Sequence, residues 1–240
     1  MSTSLQLTTR LRPATPRLHP RSAWLPLLLL LTLTLSTAVQ AQFNYTKANG
    51  AITITGYTGA GGDITIPSTL EGLPVTSIGV AAFSSYTGLT SVTLPDSVTS
   101  IRDSAFAYCT GLTSVTIPDS VTSIGAQAFS GCTGLTSVTL PNGVITIRDG
   151  AFSGCTGLTS VTLGNRVTSI GIGAFSGCTG LTGVTLPDSV TIIRDGAFSG
   201  CTGLTSVTIP DSVTTIRVQA FYGCTSLTSV TIGNSVTTGY

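Results

Sequence analysis

The stretch from Gly111 to Thr133 reads GLTSVTIPDSVTSIGAQAFSGCT, and the chain repeats this 23-residue pattern with small changes. An Ala-Phe pair marks each copy, and its phenylalanine recurs at a constant step of 23 residues: Phe83, Phe106, Phe129, Phe152, Phe175, Phe198 and Phe221. Such regular recurrence predicts stacked structural units, each of which buries its apolar edge only against its neighbours.

The first half of the unit has the pattern of a β-strand. Leu112, Val115 and Ile117 follow an L-x-x-V-x-I spacing. Between and beside them, Ser114 and Thr116 alternate with the apolar residues, which is the period of two expected of a half-buried strand. We therefore expect Val115 and Ile117 to point into the core, and the two hydroxyl residues to point outward.

The second half of the unit returns the chain to the start of the next copy. Pro118 lacks a backbone donor and ends the strand. Val121 and Ile124 form a second apolar pair, typical of a short extended segment on another side of the coil. Phe129 fills the interior, and Gly131 permits a tight turn. The sequence thus predicts a β-rich repeat solenoid, with a parallel sheet, short second extended segments and tight turns.

The first forty-one residues differ from the rest of the chain. Four arginines (Arg10, Arg12, Arg17 and Arg21) precede an apolar run from Trp24 to Leu35 and the small residues that end at Ala41. This order is typical of a secretory signal peptide, and the apolar run is short for a bilayer span. We expect residues 1–41 to be a signal peptide cleaved after Ala41; an N-terminal membrane anchor is the alternative.

The remaining chain divides at the repeat boundaries. Residues 42–62 contain a strand pattern, Ala51 to Ile54, and a glycine-rich turn, which together resemble an N-terminal cap. The leucine-rich repeat domain covers 63–240, with an atypical first repeat (63–87), six full repeats (88–225) and a partial last repeat (226–240). For the last segment, fraying, packing against another surface and truncation of a longer sequence remain open.

The repeat resembles the leucine-rich repeat of BspA-like bacterial surface antigens. The resemblance rests on the unit L-T-S-V-T-[IL]-P-D-S-V-T-S-I-G-x-x-A-F-x-x-C-T and covers about Asp63 to Val236. It implies a curved, right-handed leucine-rich-repeat solenoid whose L-x-x-V-x-[IL] strands share one sheet. It also implies a secreted or cell-surface protein, since several members are adhesins for matrix or plasma proteins.

Composition argues against two classes of function. Removal of residues 1–41 takes four of the ten basic residues and none of the nine acidic ones, so the net charge changes from +1 to −3. No clustered basic face remains for nucleic acid. The mature chain also lacks histidine, so its many hydroxyls have no obvious general base, and we expect neither an enzyme nor a cofactor or metal site.

The six cysteines occupy one column of the repeat: Cys109, Cys132, Cys155, Cys178, Cys201 and Cys224. Cysteines of a secreted chain often form disulfides. Stacked at the strand spacing, however, their parallel side chains lack the geometry of a disulfide. We expect a buried structural ladder of free thiols.

The outward strand positions predict a nearly uncharged hydroxyl face. Its candidate binding residues are Ser91, Thr93, Ser114, Thr116, Ser137, Thr139, Ser160, Thr162, Thr185, Ser206 and Thr208. Three interpretations remain open. The threonines suit an exposed strand, the face docks a protein or glycan, or it resembles the threonine arrays of ice-binding solenoids.

A second candidate is a charged stripe formed by Arg102, Arg148, Arg194 and Arg217, which fall in one column. Three of these arginines precede an aspartate, so a solvated corner with local charge pairs is the alternative. Few other residues break the repeat symmetry, and these are Tyr86, Tyr108, Tyr222 and Arg166.

We expect an adhesion-type protein that binds an extracellular protein or glycan and does not stay inserted in a membrane after signal cleavage. The alternative is a structural spacer, or an element that self-associates end to end.

Overall fold

The computed structural model describes residues 42–239; the predicted signal peptide, residues 1–41, and Tyr240 lie outside the described residues. The described chain forms a β-solenoid of about eight turns that contains strands, turns and no helix. The predicted repeat solenoid is confirmed.

The coils contribute strands to two rows; each repeat gives one strand to each row, and the N-terminal segment gives two to the second row. The first row carries the L-x-x-V-x-[IL] segments and consists of β3 (Gly62–Thr65), β6 (Leu89–Thr93), β8 (Ser114–Thr116), β10 (Ser137–Thr139), β12 (Ser160–Thr162), β14 (Gly183–Thr185), β16 (Ser206–Ile209) and β18 (Ser229–Ile232). The second row consists of β1 (Phe43–Ala48), β2 (Ala51–Tyr57), β5 (Leu73–Ile78), β7 (Ser100–Ile101), β9 (Ser123–Ile124), β11 (Thr146–Ile147), β13 (Ser169–Ile170), β15 (Ile192–Ile193), β17 (Thr215–Ile216) and β19 (Thr238–Gly239).

The second row forms the longest sheet. Its strands pair in chain order from β1 to β19, and β4 (Thr69–Leu70) joins it as an antiparallel hairpin with β5. From β5 onward each residue pairs with the residue 23 positions later, as Ser100 does with Ser123. The second extended segments of the repeat, which the sequence predicted to be short, therefore form the one sheet that continues along the described chain.

The first row does not form the single sheet that the family resemblance implied. It divides into three sheets, β3-β6-β8, β10-β12 and β14-β16-β18. Across the two breaks, the bonds from Thr136 N to Thr113 O and from Thr182 N to Thr159 O measure 3.3 and 3.4 Å, whereas the corresponding bond from Thr159 N to Thr136 O measures 2.9 Å. Because most of these strands have only three residues, a small separation of neighbouring coils removes the ladder.

The N-terminal segment is a hairpin rather than a single strand and turn. β1 and β2 pair antiparallel around a turn at Asn49 and Gly50, and β2 then pairs parallel with β5. Phe43 packs against Tyr57 and Tyr57 against Phe83, with ring centroids 5.0 and 5.9 Å apart. The hairpin thus covers the first end of the core with its own aromatic residues.

The core consists of stacked columns of identical residues. The phenylalanines from Phe83 to Phe221 stack with centroids 5.0–5.4 Å apart and interplanar angles of 3–12°. Leucine, valine, isoleucine, alanine and cysteine columns surround them, and most members are fully buried. At the break between β8 and β10, Val115 and Ile117 are only half-buried, so this unit departs from the expected inward pattern.

Candidate functional site

The hydroxyl face predicted from the first row is exposed. The threonines at the second outward position, from Thr93 to Thr231, are all exposed, as are Ser114, Ser137, Ser160 and Ser206. Ser91 is half-buried and donates a hydrogen bond to Asp63 Oδ1, 2.7 Å away. The structure therefore places ten of the eleven candidate residues on an accessible surface and uses Ser91 to anchor the first sheet.

Neighbouring threonine columns show which hydroxyls are free. Just before each first-row strand from β8 to β18, a threonine donates its hydroxyl to the carbonyl of the preceding coil, as from Thr159 Oγ1 to Thr136 O at 3.0 Å. The same arrangement precedes the second row, as from Thr122 Oγ1 to Thr99 O at 3.3 Å. Within the described chain, the outward hydroxyls from Ser114 to Thr208 make no hydrogen bond to protein. They remain available to a ligand.

Gly183 interrupts the serine file of this face. A Cβ at Gly183 would meet no atom within 4 Å, so the missing side chain leaves open space. The resulting depression has a volume of about 400 Å³, and its rim carries Ser160, Thr185 and Thr208. The buried side chains of Val161 and Val184 form part of its floor, so the face combines apolar and hydroxyl contacts here.

The arginine column is exposed, and within the described residues no arginine pairs with the aspartate that follows it in sequence. Arg217 Nε lies 3.7 Å from Asp195 Oδ1, one coil earlier. Asp149 instead accepts the backbone N–H of Ile172 at 2.8 Å, and Asp103 accepts that of Ala126 in the same way. Arg102, Arg148 and Arg194 have no acidic partner within the described residues.

Glycine alternates with arginine in this column, and the glycine explains why Asp149 bonds to the backbone rather than to an arginine. A Cβ at Gly171 would lie 2.6 Å from Ile147 O and 2.7 Å from Arg148 C, so only glycine lets the two backbones approach this closely. The close approach brings the Ile172 N–H to the Asp149 carboxylate. Arg148 and Arg194 then border a groove of about 360 Å³ above Gly171.

The six cysteines form a column of free thiols, five of them buried. Each thiol donates to the phenylalanine carbonyl of the preceding coil, as from Cys132 Sγ to Phe106 O at 3.1 Å. Burial raises the pKa of Cys109 to about 11 and that of Cys201 to about 12. It also raises the pKa of Cys155, where the neighbouring Cys178 adds to the effect. Such thiols are poor nucleophiles and poor metal ligands at neutral pH.

A groove that the repeat pattern did not predict lies at the corner after the second row. Tyr108, Gln127, Asp149 and Ile172 border its volume of about 490 Å³. The residues come from different coils, so the 23-residue spacing alone does not bring them together. The sequence did contain one indication of this groove, because Tyr108 departs from the repeat symmetry.

A family model describes this architecture. The model of the BspA type leucine-rich repeat region matches residues 62–181 and 146–239, in six copies. The chain belongs to the BspA-type leucine-rich repeat family. The expected resemblance is confirmed over most of the described residues.

Two solved structures of bacterial leucine-rich repeat proteins are similar to this chain. A leucine-rich repeat protein from T. pallidum is 34% identical, with a TM-score of 0.73 over 78% of this chain and 89% of that protein. A leucine-rich repeat protein from Eubacterium ventriosum is 29% identical, with a TM-score of 0.64 over 82% of this chain and 51% of that protein. Among curated proteins, none is significantly similar.

The BspA-type solenoid accounts for the columns of phenylalanine and cysteine as core positions. Across residues 42–239, no helix has the length and hydropathy needed to cross a bilayer. Residues that distinguish this chain from a uniform BspA-type array include Tyr108 and the arginine column, which are exposed, and Gly183, which is half-buried.

Proposed function

We propose that this protein is a secreted or cell-surface binding protein of the adhesion type, and that its hydroxyl face docks an extracellular protein or glycan. One observation carries the proposal. Rows of exposed hydroxyls without protein partners surround the depression at Gly183, whose lining includes the largely buried Val161 and Val184. A ligand that fills the depression gains apolar contact and several hydrogen bonds from one rigid surface.

The face is better suited to a ligand than to ice. Its strands belong to three separate sheets, so its hydroxyl ranks do not lie on one continuous hydrogen-bonded sheet. Thermal hysteresis of the purified protein would support the ice-binding alternative, and we expect none.

Self-association of the solenoid is the second candidate. Size-exclusion chromatography over a range of concentrations separates the candidates. We expect a constant elution volume, and growth with concentration would favour assembly.

The binding proposal is tested by screening the purified chain against arrays of matrix proteins and glycans, and then by altering the face. Thr162→Val, Thr185→Val and Thr208→Val together remove three free hydroxyls at nearly constant volume. Because a net hydrogen bond contributes about 1 kcal/mol, we expect the triple variant to bind the retained ligand at least about tenfold more weakly. Gly183→Ser, which fills the depression, should also weaken binding.

Thr122→Val and Thr191→Val provide the matched control. Both threonines are exposed, but their hydroxyls are engaged by the preceding coil, at Thr99 O and Thr168 O. The control should retain full binding. A retained ligand whose affinity is unchanged by the triple variant and by Gly183→Ser would refute the role of the hydroxyl face.

A further inference from the structure

Tyr108 combines three features that the core does not explain. Its side chain is 58% exposed, so it contributes little to the core. Its backbone lies in the left-handed region, at φ 59°, where a bulky residue is disfavoured. Five of the other six units have glycine at this position, with φ between 71° and 73°: Gly131, Gly154, Gly177, Gly200 and Gly223. This unit thus carries an aromatic side chain where the fold favours glycine, and strain of this kind often accompanies function.

The ring of Tyr108 has a defined position. A Cβ at Gly131, in the next coil, would lie 2.5 Å from Tyr108 Cδ1 and 2.9 Å from Cε1, so the ring lies directly over that glycine. The Tyr108 hydroxyl has no partner among residues 42–239. The ring therefore borders the corner groove as an exposed platform with a free polar end.

The groove beside this platform carries hydrogen-bonding groups with unused capacity. The side-chain amide of Gln127 is exposed and makes no hydrogen bond within the described chain. Asp149 uses Oδ1 to accept the Ile172 N–H, which leaves Oδ2 free to accept from a ligand. An amide and a carboxylate beside an aromatic ring match a pyranose, which has an apolar C–H face and a rim of hydroxyl groups.

The backbone of the groove disfavours a peptide ligand. Gln127 N donates to Asp149 O at 2.9 Å, and Gly150 N donates to Ile172 O at 2.8 Å. Gly131 N likewise donates to Ser153 O at 2.7 Å. Because the coils already use these groups, the groove offers no strand edge to which an extended peptide could add.

From this geometry we infer that the corner groove is a glycan-binding site in which a pyranose stacks on Tyr108 and its hydroxyls bond to Gln127 and Asp149. None of the groove's lining residues belongs to the hydroxyl face, so the site does not depend on the function proposed for that face. A shallow groove with one platform is expected to bind a short oligosaccharide weakly, with a Kd of about 1 mM.

The test is NMR of the full chain with ¹³C-labelled tyrosine rings, titrated with cellotetraose, maltotetraose and methyl α-mannoside. The resonance of Tyr108 is assigned by its loss in Tyr108→Gly. With at least one sugar at about 20 mM, well above the expected Kd, we expect the Tyr108 signal to shift. The signal of Tyr222, which is 68% exposed in a different column, should stay unchanged and serves as the control.

Two variants test the residues without unfolding the protein. The backbone φ is 59° at Tyr108 and 55° at Gln127, and other units have glycine at both positions. Tyr108→Gly and Gln127→Gly should therefore be at least as thermally stable as the parent protein. By saturation-transfer NMR, sugar binding should be lost in Tyr108→Gly and weakened several-fold in Gln127→Gly, and Tyr222→Gly should bind normally.

Several results would overturn the inference. One is that no sugar shifts the Tyr108 signal, and another is that Tyr108→Gly binds as well as Tyr222→Gly. A shift caused by a proline-rich decapeptide but by no sugar would assign the groove to peptides instead. The triple variant of the hydroxyl face (Thr162→Val, Thr185→Val and Thr208→Val) should show the same sugar-induced shift of Tyr108. A failure of the hydroxyl-face proposal can therefore be distinguished from a failure of the glycan-site proposal.

Discussion

The thiol of Cys155 donates a hydrogen bond to the carbonyl oxygen of Phe129, one coil earlier, with Sγ and O 3.1 Å apart. Every cysteine repeats this contact with the phenylalanine 26 residues before it, from Cys109 and Phe83 to Cys224 and Phe198. The same carbonyl already accepts the backbone N–H of Cys132, at 3.2 Å, so the thiol bond adds a second, inter-coil contact and gives the buried S–H an acceptor. The cysteine column thus links adjacent coils in the protonated state.

Protonation of this column makes stability fall at alkaline pH. Burial raises the pKa of Cys109 to about 11 and that of Cys201 to about 12. An unfolded thiol titrates near pH 8.5. The folded state therefore holds its protons longer, and its advantage is lost progressively as pH rises from about 8.5 toward these folded values. We expect urea unfolding at about pH 9.5 to show a lower free energy of unfolding than at pH 7.5. An unchanged value would contradict burial of the thiols.

The thiols should also differ in reactivity along the array. Cys224 lies in the last cysteine-bearing coil and is half-buried, whereas Cys109 to Cys201 are buried. With Ellman's reagent at neutral pH, we expect Cys224 to react first and the other five only on unfolding. Six thiols should react in unfolded, unreduced protein. A count of two or fewer would mean that the cysteines form disulfides.

The phenylalanine stack should contribute most in its middle. Phe152 is fully buried and stacks on both sides, at 5.3 and 5.4 Å. Phe152→Ala should lower the free energy of unfolding by about 3–5 kcal/mol. Phe221, half-buried with one stacked neighbour, provides the comparison and should cost distinctly less. Chemical denaturation measures both, and a loss below about 1 kcal/mol for Phe152→Ala would be inconsistent with its packing.

Two glycines should respond differently to alanine. At Gly171 the new Cβ would collide with backbone atoms at 2.6 and 2.7 Å, and these cannot move aside. At Gly196 the Cβ would meet only Ser199 Cβ, at 3.7 Å, and the cost is that of φ 60°, about 1–2 kcal/mol. We expect Gly171→Ala to be the more destabilising by thermal denaturation. The reverse order would show that neighbouring coils at Gly171 can separate.

The N-terminal hairpin should loosen in acid. Glu71 bonds to Lys47 and Tyr45, and the hydrogen bond from Lys47 is the main reason that the pKa of Glu71 is lowered. A lowered carboxyl pKa stabilises the hairpin above the unfolded value, about 4.3, and this is lost as pH falls through the folded value. Glu71→Gln should lower the protection factors of the β1 amides at pH 7 and abolish their further decrease at low pH. Equal protection factors in both proteins would contradict the contact.

The repeat itself could be predicted in detail. An apolar position that recurs every 23 residues must stack on its own copies, because a single coil cannot bury it. For the same reason the inward columns of phenylalanine and cysteine, and the outward serine and threonine files, followed from residue type. The hairpin form of residues 42–57 was missed because the antiparallel partner, β1, lies outside the repeat.

Other features depended on distances between coils and on backbone angles, which the repeat spacing does not specify. The first-row strands form three sheets because small separations at Thr136 and Thr182 break very short ladders. Asp149 bonds to the backbone rather than to arginine because Gly171 lets the coils approach.

The 23-residue period was enough to specify which residue stacks on which, because each residue lies over its own copy in the next coil. The groove bordered by Tyr108, Gln127 and Asp149 became evident only from the folded coordinates, because these residues occupy different columns of successive coils. Backbone angles add to this, since Tyr108 and Gln127 both adopt the left-handed conformation that other units give to glycine.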